Sequence, residues 1–180
     1  MNNKTKVVFI LDRSGSMSHL REDTIGSFNS LVEEQRSKEG ECIISTVLFD
    51  NYVDVLHDNL EIEKVKTMTR EDYFTRGTTA LLDAIGITIN RTIGQYKDLY
   101  REERPDNVMF VIITDGMENA SKRFSYSKIK KMISNTEEEF VFFDNYFKDE
   151  HLVEVFLSQS LKVDGESENF KWNKKLENED

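Results

Sequence analysis

The chain has 180 residues, 38% of them hydrophobic and 32% charged, with a formal net charge of −10 at pH 7. Those proportions fit one globular domain with a sizeable core and exclude a largely disordered chain. The acidic balance, with no basic face, argues against nucleic acid as a partner, and no apolar run reaches membrane-spanning length.

The opening residues Met1–Lys6 run straight into an apolar stretch, so no secretory leader is expected and the chain reads as cytoplasmic. Val7–Leu11 is that stretch, β-branched in part and unbroken, which predicts a strand buried on both faces. It ends at Asp12, and Ser14 and Ser16 follow at spacings of two and four, with Gly15 between them for a tight turn. After Met17, Ile25, Phe28, Leu31 and Val32 recur at helical spacing, and Gly40 closes that helix. Cys42–Phe49 reads as a second strand and Tyr52–Leu56 as a third. The short Asp50–Asn51 link makes these two an antiparallel hairpin with Tyr52 at the turn. The single cysteine, Cys42, excludes an internal disulfide framework and reads as a small core residue.

Glu61–Asp72 is polar and irregular, with one helical turn. Arg76-Gly77-Thr78-Thr79-Ala80 then opens a long helix, whose apolar positions run from Leu81 through Ile85, Ile89 and Tyr96 to Leu99. Past the only proline, Pro105, Val108–Ile113 is another fully apolar strand, and it too leads to an aspartate, in Thr114-Asp115-Gly116. Tyr126, Ile129, Met132 and Ile133 mark a shorter helix that Ser125 is placed to cap. Phe140–Phe143 reads as a strand, length favours a helix around Leu152–Leu157, and the pattern fades from Ser158. Strands alternating with amphipathic helices predict an α/β layered domain with a mostly parallel sheet. The domain is assigned to residues 1–160, and residues 161–180 to a polar tail in which Phe170 and Trp172 dock on the body.

Three segments deliver oxygen donors at strand ends or helix starts: Asp12, Ser14 and Ser16; then Thr78 or Thr79; then Asp115. In an open α/β sheet such positions converge on the crevice where neighbouring connections diverge. Donors that are all oxygen, with no histidine or cysteine, suit a hard cation, Mg²⁺ or Mn²⁺. His19, His57 and His151 lack ligand spacing and read as surface residues. Arg13, Met17, Arg76, Met117 and Glu118 are placed around the rim, with Met17 and Met117 as an adaptable apolar collar.

Together, Asp12-x-Ser14-x-Ser16, Gly77-Thr78-Thr79-Ala80-Leu81 and Ile113-Thr114-Asp115-Gly116 resemble the metal-ion-dependent adhesion site of the von Willebrand factor type A domain, over roughly Lys6–Phe143. The chain looks most like compact intracellular bacterial members. The resemblance implies a doubly wound, Rossmann-like sheet with one antiparallel edge strand and helices on both faces. It also implies that Asp12, Ser14, Ser16, Thr79 and Asp115 hold the metal. Thr79 is preferred to Thr78 because the family's threonine precedes the small-then-leucine pair, here Ala80-Leu81. The implied function is non-catalytic, metal-dependent binding of a protein partner whose Asp or Glu completes the coordination. Residues 161–180 depart from the family, which ends in a clear sixth strand and a final helix.

Two other readings use the same residues. One is a Mg²⁺-dependent hydrolase or phosphotransferase with Asp12 as nucleophile. No Gly-rich phosphate loop with lysine supports it, and no second aspartate sits two residues after Asp12. The other is a structural scaffold with an unused site.

Overall fold

In a computed structural model, residues 4–115, 118–134 and 140–144 are described. The readings made for Met117, His151, Leu152–Leu157, Phe170, Trp172 and the 161–180 tail fall outside them. Among the described residues five strands form one sheet: β1 (Lys4–Asp12), β2 (Glu41–Phe49), β3 (Val53–Glu61), β4 (Asn107–Ile113) and β5 (Phe140–Asp144), in the order β3-β2-β1-β4-β5. All neighbours are parallel except β2 and β3, so the expected sheet with one antiparallel edge strand is the one found. Among the described residues three helices pack around it: α1 (Arg21–Arg36), α2 (Leu81–Tyr96) and α3 (Tyr126–Ser134).

Helices on both faces explain why β1 is unbroken apolar from Val7 to Leu11 and β4 from Val108 to Ile113, since side chains alternate between the two faces. Val7, Phe9 and Leu11 of β1, with Val111 and Ile113 of β4, join the core under α1. Val8 and Ile10, with Val108, Phe110 and Ile112, join the core under α2 and α3. Both strands are therefore sandwiched between helical layers. On the α1 side, Phe28 is fully buried and meets Phe9 edge to face at 4.9 Å. On the other side, a Cβ at Gly86 of α2 would lie 2.5 Å from the Phe124 ring, so only glycine allows that contact.

Several boundaries differ from the sequence reading. β1 begins at Lys4, three residues early, and β3 continues to Glu61, because its exposed face tolerates the polar residues that look like loop. The helical turn expected in the irregular segment is the 3₁₀ turn Ile62–Lys64. α2 stops at Tyr96, leaving Leu99 outside. The oxygen of Ser125 lies 3.4 Å from the Lys128 amide, where a cap accepts. His57 is not a surface residue: it is half-buried, stacked on Phe28 at 6.1 Å, with Nδ1 2.9 Å from Thr46 Oγ1. Cys42 is half-buried beside the α1-side core, where burial pushes its thiol up to about 11 and disfavours the reactive thiolate.

Lys6 is the least expected core residue, only 1% exposed. Its Nζ donates to Asn59 Oδ1 at 2.6 Å and Gln95 Oε1 at 2.7 Å, and lies 5.2 Å from the Tyr96 ring centroid. Desolvation pushes its pKa down from 10.5 to about 8, against the pull of Asp58. Below about pH 8 both folded and unfolded chains hold the proton, and the cost of burying the charge is present in full. Between about 8 and 10.5 only the unfolded chain keeps it, so stability gains with rising pH. Relative to Lys6→Met, the native protein should gain about 3 kcal/mol across that window. Denaturant melts of both proteins at several pH values check this; parallel profiles would refute it.

Candidate functional site

β1 and β4 are adjacent and parallel, while the connections from their carboxyl ends leave toward opposite faces of the sheet. Asp12 closes β1 and Asp115 follows β4 by two residues, so both carboxylates are delivered to the same crevice. Asp12 is fully buried. Its Oδ1 accepts the Ser14 amide at 2.7 Å, its Oδ2 accepts the Thr114 hydroxyl at 2.6 Å, and its backbone carbonyl accepts the buried Tyr73 hydroxyl. Burial pushes the Asp12 carboxyl above the ordinary range, with Thr114 and Ser14 opposing that shift through their hydrogen bonds and nearby Asp115 adding to it.

The hydroxyls line up from there. Ser14 Oγ and Ser16 Oγ are 3.0 Å apart, and Ser16 Oγ donates to Asp115 Oδ1 at 3.0 Å. Asp12, Ser14, Ser16 and Asp115 thus form one continuous run of oxygen donors. His19 Nε2 stands 4.0 Å from Asp115 Oδ2 and is otherwise exposed. Among the described residues no group of three or more His, Cys, Asp or Glu side chains gathers, so any cation site here draws on hydroxyls.

The second loop is fastened to the first through its backbone. The Gly15 amide donates to the Gly77 carbonyl at 3.1 Å, and the Arg76 amide to the Arg13 carbonyl at 2.7 Å. Gly15 has no positive φ; its place in the turn rests on this bond rather than on glycine's conformational freedom. Gly77 is the residue that needs such freedom, with φ 70°, and a Cβ there would collide with Asn51 Oδ1.

The two threonines face different partners. Thr78 Oγ1 accepts the Asn51 side-chain amide at 2.6 Å, and the Thr78 amide returns the bond to Asn51 Oδ1 at 2.9 Å. Thr79 is buried, and among the described residues its hydroxyl makes no hydrogen bond. Its backbone is held by Asn119, which accepts the Thr79 amide at 3.0 Å and donates to the Thr79 carbonyl at 3.1 Å.

The rim differs from the one expected. Met17 is fully buried in the α1-side core, because the 3₁₀ turn Gly15–Leu20 points it inward. Arg13 is buried and paired with Asp50. Glu118 accepts the amides of Leu82, Ala120 and Ser121, anchoring the start of α2. Asp83 does the converse, accepting the amides of Lys122, Arg123 and Phe124; burial would raise its carboxyl, but those three bonds hold it below the ordinary range. Arg76 keeps a half-exposed side chain at the rim. Thr114, Asn119 and Tyr73 were missed from sequence. Thr114 stands beside Asp115 in the motif and Asn119 follows it by four residues, whereas Tyr73 gives no local signal.

No protein-family model and no curated protein matches the chain. Solved structures do. Manganese-loaded TRAP protein from Plasmodium vivax is similar at a TM-score of 0.53 and 16% identity, over 78% of this chain and 56% of that one. A von Willebrand factor type A protein from Catenulispora acidiphila is similar at a TM-score of 0.51 and 14% identity, over 77% and 32%. The PilB minor pilin of Streptococcus sanguinis (a D319A mutant) gives 0.50 and 13%, over 63% and 30%. The chain thus spans between 30% and 56% of the length of these structures. At such identities the likeness is one of fold, and the fold is that of a von Willebrand factor type A domain.

Gly77→Ala should damage this loop specifically. A side chain in the left-handed region that also strikes Asn51 costs on the order of 1–3 kcal/mol. Gly26→Ala, at a helical position with nothing within 4 Å of the added carbon, should be neutral or slightly stabilising. Thermal melts of the two variants compare them.

Proposed function

We propose that the chain is a non-catalytic, divalent-metal-dependent protein-binding module. In this reading Asp12, Ser14, Ser16, Thr79 and Asp115 hold Mg²⁺ or Mn²⁺, and an Asp or Glu of a protein partner completes the coordination. The observation that carries it is the continuous run of carboxylate and hydroxyl oxygens from Asp12 to Asp115 at the sheet's crevice. The donor set fits a hard cation: it is all oxygen, and its two carboxylates roughly balance a double charge. The manganese in TRAP, a protein of the same fold, supports the reading.

The chain's own residues divide the work. Thr114 and the Ser14 amide orient Asp12 and satisfy both of its oxygens. Asn51 occupies the Thr78 hydroxyl, which leaves Thr79 as the threonine donor. When bound, a divalent cation would supply an electrophilic centre able to accept an external carboxylate. Neutral hydroxyl ligands preserve that electrophilicity, because they add no charge. A partner presenting its carboxylate from a neutral or basic patch suits this acidic chain. The single, half-buried cysteine suits a reducing compartment such as the cytoplasm. Among the described residues no helix is long and apolar enough to cross a membrane.

Because most of the core comes from the sheet and its helices rather than from the ligand loops, the chain should fold without metal and gain stability with it. At a hundred times the dissociation constant, the gain is about 2.7 kcal/mol. Melting with and without millimolar Mg²⁺ or Mn²⁺ measures it, and identical melts would sink the proposal. Thr79→Ala should remove most metal affinity while Thr78→Ala removes little. Metal titration of both variants decides between the two hydroxyls. A pull-down from cell extract, run with Mg²⁺ and again with chelator, tests the binding role; turnover of phosphate or ester substrates would replace it with a catalytic one.

A further inference from the structure

Asp50 lies at the β2–β3 turn, outside the run of oxygens just described, yet it is fastened to both loops that carry the hydroxyls. It is 1% exposed. Its Oδ2 accepts Arg13 Nε at 2.9 Å and Arg76 Nε at 2.7 Å. Its Oδ1 accepts the Tyr52 amide at 2.8 Å, and its backbone carbonyl accepts the Ala80 amide at 3.1 Å. Arg13 sits between Asp12 and Ser14, Arg76 opens the second loop, and Ala80 follows Thr79. One carboxylate and one carbonyl therefore reach a neighbour of each donor except Ser16 and Asp115. Asp54 takes a second contact from Arg13 and lies 3.4 Å from Arg76 Nη2. The Phe74 ring lies 5.5 and 5.4 Å from the two guanidinium carbons, which limits where each arginine can swing.

We propose that Asp50, through Arg13 and Arg76, is a positioning residue that sets the spacing between the Asp12–Ser16 loop and the Arg76–Thr79 loop before a cation arrives. The inference rests on the metal reading above and adds a fourth loop to the site, one that supplies no ligand. Residues that orient metal ligands without touching the metal commonly govern affinity through geometry. A role confined to holding the fold together would instead lower the melting temperature and leave the affinity of the folded protein unchanged.

The test uses the full chain, Mn²⁺ alone as probe, and temperatures at which every variant is folded. Free Mn²⁺ is read by its paramagnetic resonance signal for the native protein, Asp50→Asn, Arg76→Gln and the double variant. Each single substitution should weaken Mn²⁺ binding about tenfold or more. The double variant should be little weaker than Asp50→Asn alone, because both substitutions cut one tie. In metal-free protein, the Gly15 and Arg76 amides, whose bonds join the loops, should exchange hydrogen faster in each variant. Should Asp50→Asn fail to fold, Arg76→Gln carries the test, since that side chain is half-exposed. Variants that bind Mn²⁺ as tightly as the native protein, or whose Gly15 and Arg76 amides exchange as slowly, would overturn the proposal. A native protein that does not bind Mn²⁺ would overturn the metal reading instead, and exchange in the metal-free chain would still show whether Asp50 holds the loops.

Discussion

Everything at the crevice depends on two strands, buried along most of their length, lying side by side. β1 and β4 pair in parallel from Thr5↔Asn107 to Leu11↔Ile113. That register fixes where each chain leaves the sheet, and the residues just past it carry the acids. The pairing is secured by helices on both faces, so it does not depend on the loops it supports. A shift of one residue in β4 would turn its alternate side chains to the wrong layer, exchanging Phe110 for Val111 under α2. The apolar alternation that builds the two cores therefore also sets the separation of Asp12 and Asp115.

Above this base, the loops gain their order from many short ties rather than from regular structure. Tyr73 reaches from the irregular segment to the Asp12 carbonyl, Asn51 grips Thr78, Asn119 grips Thr79, and Glu118 and Asp83 stitch the start of α2 to the residues after β4. Buried Met17 pins the far end of the first loop. Arranging donors this way settles the ordering entropy at folding, so less remains to be lost when a ligand binds.

Much of this was legible in the sequence because the signals are local. The strands β1 and β4 announce themselves as apolar runs, and the hairpin by its short polar link. The four oxygens that converge belong to motifs whose spacing is visible without a structure. What was not legible depends on distant partners. Nothing in the sequence around Lys6 marks it as buried, since Asn59, Gln95 and Tyr96, which close over it, are distant in the chain. Arg13 and Met17 read as rim residues because nothing nearby reveals that Asp50 and the α1-side core claim them. β3 hid its second half because a strand with one exposed face resembles a polar loop when its alternation is broken. Its register against β2 does shift, between Ile44 and Thr46 and again between Thr46 and Val47.

That irregular outer strand has a consequence for how the molecule behaves among its neighbours. A nine-residue strand at the margin of a sheet would normally offer a template on which another chain could extend the sheet. β3 is poorly suited to this. Its register shifts bend it, Asn59 departs from extended geometry with φ 50°, and Asp54 and Asp58 are tied back to arginines of the body. Arg91 and Gln95 of α2 also reach across to Asp58. The margin nearest the Asp50 hub is thus guarded against self-association, and a copy of the chain that meets another along β3 finds no straight rail to zip onto.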